Sequence, residues 1–215
     1  MATKVLIVDD HPAVCEGLAV RIASQPDLEV CGQAADTPEA MKLLEAVRPD
    51  VVVVDIQLET GNGLDLVERI KAHDESIGIL VWSMYPDAIY AQRALNAGAL
   101  GYINKRQATS RILEAIHRVR DGKIFLCKET ADQLLSSAVG RGKHLKASGV
   151  ERLSDRELEV FRLIGQGLTT SQVAQRLHRS VNTVESHRGK IKEKLALKSA
   201  AELSRAAVQW MLENG

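Results

Sequence analysis

Five side chains of this 215-residue sequence have types and positions that allow joint chemistry: Asp9, Asp10, Asp55, Ser83 and Lys105. Each follows an apolar run. Lys4–Val8 lead to the acidic pair, Val51–Val54 to Asp55, Ile77–Trp82 to Ser83, and Leu100–Ile103 to Asn104 and Lys105. Three clustered carboxylates repel one another and are stable together around a cation. Hard oxygen ligands with positions left for water and phosphate suit magnesium. A carboxylate in such a place is also a nucleophile able to form an acyl phosphate, which makes Asp55 the candidate acceptor. The phosphoryl group would spread charge over its oxygens. Lys105 can neutralise part of that charge and the Ser83 hydroxyl can donate to another oxygen. Taken singly, an Asp after a valine run reads as a turn or cap, Ser83 as a strand-end hydroxyl and Lys105 as a solvated lysine. Five such groups at matching strand ends make the joint reading the stronger one.

The elements that must position these groups follow from the pattern. Four consecutive valines read as a strand buried on both faces, the mark of a central parallel strand. Lys4–Val8, Leu28–Gly32, Ile77–Ser83 and Leu100–Ile103 read as further strands. Between them, Val14, Leu18 and Ile22 recur at helical spacing. Asp36 or Thr37 caps a helix with Pro38 in its first turn, running to about Val47. Gly61-Asn62-Gly63 turn into a helix carrying Leu64, Val67 and Ile70. Asp87 starts a helix that Gly98 ends, and Thr109 caps one carrying Ile112, Leu113, Ile116 and Val119. Strands alternating with helices over about 120 residues imply right-handed crossovers and an α/β doubly wound, five-stranded parallel sheet. In such sheets ligands gather outside the carboxyl ends of the strands, where these five groups stand.

Composition narrows the class. Aromatics are only 3% against 45% apolar residues, so the cores are aliphatic. The formal net charge of zero hides an asymmetry: residues 1–121 carry −6, residues 122–150 carry +3 and residues 151–215 carry +3. An acidic first half and a basic second half suggest a cation or phosphoryl site followed by a nucleic-acid surface. The three cysteines, Cys15, Cys31 and Cys127, have no metal-ligand spacing and fit a reduced, cytoplasmic setting. No apolar run approaches the ~20 residues that would span a membrane, and the N-terminus shows no signal-peptide pattern.

The pattern Asp9-Asp10, Asp55, Ser83 and Lys105 resembles the receiver domain of two-component response regulators. That resemblance implies the flavodoxin-like strand order 2-1-3-4-5, an order the receiver fold itself exemplifies. It implies phosphoryl transfer from a sensor histidine kinase to Asp55 with Mg2+ bound. Asp10 would be the direct metal ligand, Asp9 would act through water, and Asp55 and the Gln57 backbone carbonyl would complete the protein's contacts. Tyr102 falls at the aromatic switch position, expected to follow Ser83 inward on phosphorylation. The sequence departs from the family where Met-Pro commonly follows the acceptor; here Leu58 and Glu59 stand there, which bears on loop shape and dephosphorylation rate.

After residue 121 the chain reads as a linker over 122–149, partly helical around Lys128–Val139, with Gly140–Gly149 a basic, glycine-bearing tether. Residues 150–215 read as a small all-α domain. Ser154 and Glu157 form a capping box, and Thr169 or Thr170 caps the next helix. A short turn, His178–Val181, leads to a basic helix from Asn182 to Leu195, and a last helix runs from Ser199 to about Leu212. Residues 176–198 carry seven Lys/Arg against two Glu, which with the helix-turn-helix spacing suggests DNA binding. At 100° per residue Val184, Arg188, Ile191 and Leu195 share a core stripe, with Arg188 snorkelling outward. Asn182, Ser186, Gly189, Lys190 and Glu193 oppose it. Lys192 and Lys194 flank that face within reach of phosphates. The candidate DNA contacts are Asn182, Thr183, Glu185, Ser186, Arg188, Lys190, Lys192 and Lys194. Gly189 costs ~1 kcal/mol in a helix interior; close approach to DNA is one rationale and neutral drift the other.

The runs Leu153-Ser154-x-Arg156-Glu157, Gly167-Leu168-Thr169, Val173-Ala174-x-x-Leu177 and Thr183–Arg188 resemble the output domain of the LuxR/NarL/FixJ group. The resemblance implies a four-helix domain binding promoter DNA as a homodimer, often through the last helix. Glu185 departs from the Lys of many relatives. The combined expectation is a phosphorylation-controlled transcriptional regulator rather than an enzyme. Its alternative is a phosphorylation-independent DNA binder whose receiver is only a dimerisation scaffold.

Overall fold

The computed structural model describes residues 2–58, 60–106, 111–138 and 149–214. Glu59, the Thr109 cap and, but for Gly149, the tether lie outside them. The chain divides into two compact units, Met1–Gly140 and Arg141–Gly215.

The first unit alternates strand and helix: β1 (Thr3–Val8), α1 (Pro12–Ala23), β2 (Leu28–Ala34), α2 (Thr37–Val47), β3 (Val51–Val54), α3 (Gly63–His73), β4 (Gly78–Ser83), α4 (Asp87–Asn96), β5 (Gly101–Asn104), α5 (Ile112–Arg120) and α6 (Lys128–Ala138). All strand pairs are parallel, in the order β2-β1-β3-β4-β5. β3 is central because its four valines are buried on both faces, each worth about 2 kcal/mol of burial. Val54 pairs with Val8 and Val81, which aligns the ends of β1, β3 and β4. One face of the sheet packs on α1 and α5 through Leu18, Ile22, Ile112 and Ile116. The turn after β3 is fixed by Gly63: a Cβ there would stand 2.0 Å from the Asp55 carbonyl oxygen. Only glycine lets α3 begin against the backbone that carries the acceptor.

The cap of α2 is Asp36, whose Oδ1 accepts from the Glu39 N–H at 2.8 Å. α5 starts after Arg111 without a side-chain cap. The stretch following residue 121, read as linker, packs on the first unit as far as α6. Phe125 is buried in the α1–α5 core and bridges Gly101 of β5, and Cys127 and Thr130, at the start of α6, are buried too. A large aromatic joining the sheet edge makes residues 122–138 part of the unit.

The second unit holds a 3-10 turn (Val150–Arg152), α7 (Asp155–Gly165), α8 (Thr170–Arg176), α9 (Val181–Lys194) and α10 (Ala200–Asn214). α7 packs on α10 through Phe161 and Trp210, edge to face at 5.9 Å. Ser154 and Thr169 each close a capping box, with Glu157 and Gln172. His178 makes the turn between α8 and α9 at φ +50. Among the described residues no helix is long and apolar enough to cross a membrane.

Candidate functional site

The carboxyl ends of the first unit's strands bring Asp9, Asp10, Asp55, Ser83 and Lys105 together. Asp55 Oδ1 accepts from Ser83 Oγ at 2.6 Å and from the Gln57 N–H at 3.4 Å. Lys105 Nζ donates to Asp55 Oδ2 at 2.6 Å and also to Asp9 Oδ2. Lys105, its side chain only 8% exposed, thus bridges two buried carboxylates. Burial pushes the Asp55 carboxyl above the ordinary Asp range. Lys105 and Ser83 pull it down without cancelling the shift. Burial opposes the Lys105 charge, but Asp55 and Asp9 outweigh it and raise the ammonium pKa. The lysine therefore stays charged, and one cation faces three carboxylates. Asp10 Oδ1 is buried and without a hydrogen-bond partner among the described residues. His11 Nδ1 stands 2.6 Å from that oxygen and shares a hydrogen bond with Asp9 Oδ1 at 3.2 Å. Asp9, Asp10, His11 and Asp55 place ligand atoms within 4.8 Å of one another.

Tyr102 is buried, and its hydroxyl donates to the Tyr85 carbonyl at 2.7 Å. Asn104 Nδ2 donates to the same oxygen at 2.8 Å. Burial raises the Tyr102 phenol well above its ordinary range, so it remains a donor. Tyr85 lies two residues beyond Ser83, so the Asp55 site is joined to Tyr102 through one short loop. A cleft of about 500 Å³ opens beside the site, bounded by Asp55, His11, Leu18, Trp82 and Lys105.

In the second unit the core stripe of α9 is buried at Val184 and Ile191, while Asn182, Thr183, Ser186, Gly189, Lys190 and Glu193 are exposed. Ser180 caps α9, accepting from the Thr183 N–H at 3.1 Å. Arg188 is half-buried and pairs with Glu185 at 3.4 Å, and Glu185 also accepts from Thr170 Oγ1 at 2.9 Å. Two of the residues expected to meet DNA are thus joined to each other and to the start of α8. Lys194 is drawn further from that role: its Nζ bonds Glu157 Oε2 at 2.6 Å. Its charge neutralises a buried carboxylate instead of standing free for a phosphate. Burial would raise the Glu157 pKa, but Lys194 and the Ser154 N–H overcome it and hold the carboxyl below its ordinary value. Lys190 is exposed and Lys192 half-exposed. A Cβ on Gly189 would meet nothing within 4 Å, so no packing in the unit requires glycine there.

Two family matches cover these two regions. Residues 5–117 match the response regulator receiver domain and residues 151–207 match the bacterial regulatory proteins of the luxR family. The chain belongs to the luxR-family response regulators. Among curated relatives of this response regulator, the Fimbriae Z protein of Salmonella typhimurium is 32% identical over 200 residues, covering 93% of each chain. The oxygen regulatory protein NreC of Staphylococcus epidermidis is 33% identical over 211 residues, covering 96% of this chain and 97% of that one. The response regulator is also similar to RcsB of Salmonella enterica serovar Typhimurium, solved bound to the promoter rprA with the phosphomimetic BeF3−. The TM-score is 0.68 at 25% identity, over 97% of this chain and 99% of that one.

His11 was not singled out from the sequence, although it directly follows the acidic pair. Its only sequence signal is adjacency. The Glu157–Lys194 pair was also missed, because a capping box explains Glu157 without it.

Proposed function

We propose that Asp55 accepts a phosphoryl group from a sensor histidine kinase and that this transfer controls binding of promoter DNA. The observation that carries the reading is the Asp55 carboxylate itself, held at the end of β3 between Ser83 Oγ and Lys105 Nζ. An Asp55 oxygen bonds phosphorus as the P–N bond of the kinase's phosphohistidine breaks, and the imidazole nitrogen leaves with the bonding pair. The cleft beside Trp82 is the approach to a carboxylate otherwise buried. Lys105 is already charged and positioned for the added oxygens, so little reorganisation is needed. Ser83 exchanges its bond to Asp55 for one to the phosphoryl group.

The residues fit a hard divalent ion: the donors are oxygens, and Asp10 Oδ1 is buried without a hydrogen-bond partner among the described residues. Asp10, Asp55 and the Gln57 carbonyl would hold Mg2+, with Asp9 behind a water. When bound, Mg2+ supplies charge neutralisation for the phosphoryl oxygens. Movement of Ser83 pulls the loop that carries the Tyr85 carbonyl, and Tyr102 follows through its hydrogen bond. This makes Tyr102 the reporter of phosphorylation on the β5 side of the unit.

In the second unit Asn182, Thr183, Ser186 and Lys190 face the major groove and Lys192 reaches phosphate. Glu185 and Arg188 act as a pair that sets base preference. A homodimer places two such helices on half-sites about one helical turn apart, or a multiple of it. The chain works in the cytoplasm as a regulator and turns over no substrate. The first unit ends with α6 and the tether links it to the DNA-binding unit.

Intact-mass measurement after incubation with a small acyl phosphate and Mg2+ tests the acceptor. Wild type is expected to gain one phosphoryl group and Asp55→Asn none. Equal labelling of both would remove Asp55 from the role.

A further inference from the structure

The helix read as entering the major groove carries a carboxylate on its N-terminal half. Glu185 is the fifth residue of α9, within the stretch from which a recognition helix contacts base edges. Its side chain is 56% exposed. Two groups orient it. Thr170 Oγ1, at the first position of α8, donates to Glu185 Oε1 at 2.9 Å. Arg188 Nε stands 3.4 Å from the same oxygen. Both contacts use Oε1 and neither engages Oε2. An exposed ion pair of this kind adds little to stability. Its effect is to hold the carboxylate in one orientation, with one oxygen left over. Gly189 lies one turn further along the same flank of α9. It is exposed, and a Cβ there would meet nothing within 4 Å. A base edge can therefore come up to Glu185 along α9 without displacing a side chain.

Duplex DNA carries a negative charge about every 1.7 Å of its axis, so a carboxylate in the groove weakens binding unless a base donates to it. Base edges in the major groove offer two such donors, cytosine N4 and adenine N6. An ionised carboxylate only accepts. Adenine sets N7, a second acceptor, beside its amino group and so repels a carboxylate. Cytosine has a C–H at the corresponding place. Guanine and thymine present acceptors alone. We infer that Glu185 Oε2 accepts from the N4 amino group of a cytosine and so fixes one C·G pair in each half-site. The inference rests on the reading of α9 as the DNA-recognition helix, and names the base that its Glu185–Arg188 pair selects.

The test is selection of binding fragments from random duplex DNA by the full chain with Mg2+ and beryllofluoride, for wild type, Glu185→Gln and Glu185→Ala. Affinities for the selected site then follow at fixed salt. Wild type is expected to require cytosine at one position of each half-site, and to lose about tenfold in affinity when that C·G pair becomes T·A. Glu185→Gln keeps the shape of the side chain and adds a donor. It is expected to move the preference at that position to adenine, whose N6 and N7 an amide meets together. Glu185→Ala is expected to distinguish C·G from T·A there by less than about twofold, with every other position unchanged. A carboxylate that merely repels phosphate would act differently: both variants would bind every sequence more tightly by one common factor, with base preference unaltered. That pattern, or a wild-type site with no position whose base changes with residue 185, would overturn the inference. If wild type selects no common sequence at all, the reading of α9 fails and this inference fails with it.

Discussion

At the ends of β1, β3, β4 and β5, charged groups are buried and linked to one another. Along α9, most of them stand in water. Lys105 reaches residues 96 and 50 positions away in sequence, through Asp9 and Asp55. The DNA-facing set of α9 lies on one helix of 14 residues. The first arrangement fixes geometry at the cost of desolvation; the second keeps charges available to a partner and draws its fold energy from Val184, Ile191 and the packing of α7 and α10. Each region contains one exception. The acidic site leaves Asp10 Oδ1 without a hydrogen bond among the described residues, and the DNA-binding unit buries Glu157 against Lys194. The difference teaches that substitutions at the first site should act on stability and chemistry together, whereas those on the α9 face should separate affinity from stability.

The largest expected effect that would break this contrast is at Lys105. Lys105→Ala leaves Asp9 and Asp55 buried without their cation, and the urea midpoint of the first unit is expected to fall by the equivalent of about 3 kcal/mol. Added Mg2+ should restore part of it, because a second cation then neutralises the same carboxylates. A loss under about 1 kcal/mol would mean the site is solvated like a surface.

The two units should also respond oppositely to acid. Asp55 has its folded pKa raised, so its contribution is fully present below the unfolded value of about 3.9 and is lost as pH rises through the folded value. Glu157 has its folded pKa lowered, so its contribution is present above about 4.3 and is lost as pH falls through the folded value. Calorimetry from pH 7 downward should show Glu157→Gln flattening the acid loss of the second unit. Asp55→Asn should remove the gain of the first and raise its Tm at pH 7. Parallel acid profiles in the two variants would contradict the assignment.

Smaller effects sharpen the α9 side. Lys190→Ala should leave stability within about 0.5 kcal/mol while lowering DNA affinity and reducing the salt slope by about 1. Gly189→Ala should stabilise the second unit by about 1 kcal/mol and still weaken DNA binding, since nothing within the unit fills the space beside it. A stabilised variant with undiminished affinity would assign Gly189 to drift.

The strand-end groups were legible in the sequence because each sits at the boundary of a local pattern: an apolar run, then a polar residue. The caps at Asp36, Ser154 and Thr169 were legible for the same reason, although the choices between Asp36 and Thr37 and between Thr169 and Thr170 needed coordinates. What stayed hidden depends on partners far apart in sequence. Glu157 and Lys194 are 37 residues apart and Thr170 and Glu185 are 15 apart, and nothing local distinguishes a paired lysine from a solvated one. The attachment of 122–138 to the first unit turns on one aromatic, Phe125, entering a core formed by other elements. Tyr102 was placed at the switch position, but its bond to the Tyr85 carbonyl depends on how the loop after β4 folds back.

The measurement closest to the central claim is binding of the full chain to promoter DNA selected from random fragments, at fixed salt. Wild type and Asp55→Asn would each be measured with and without Mg2+ plus beryllofluoride. Tighter binding with the mimic in wild type alone is the expected result and makes Asp55 the switch for α9. Equal affinity in all four conditions would contradict the account and leave the first unit as a scaffold.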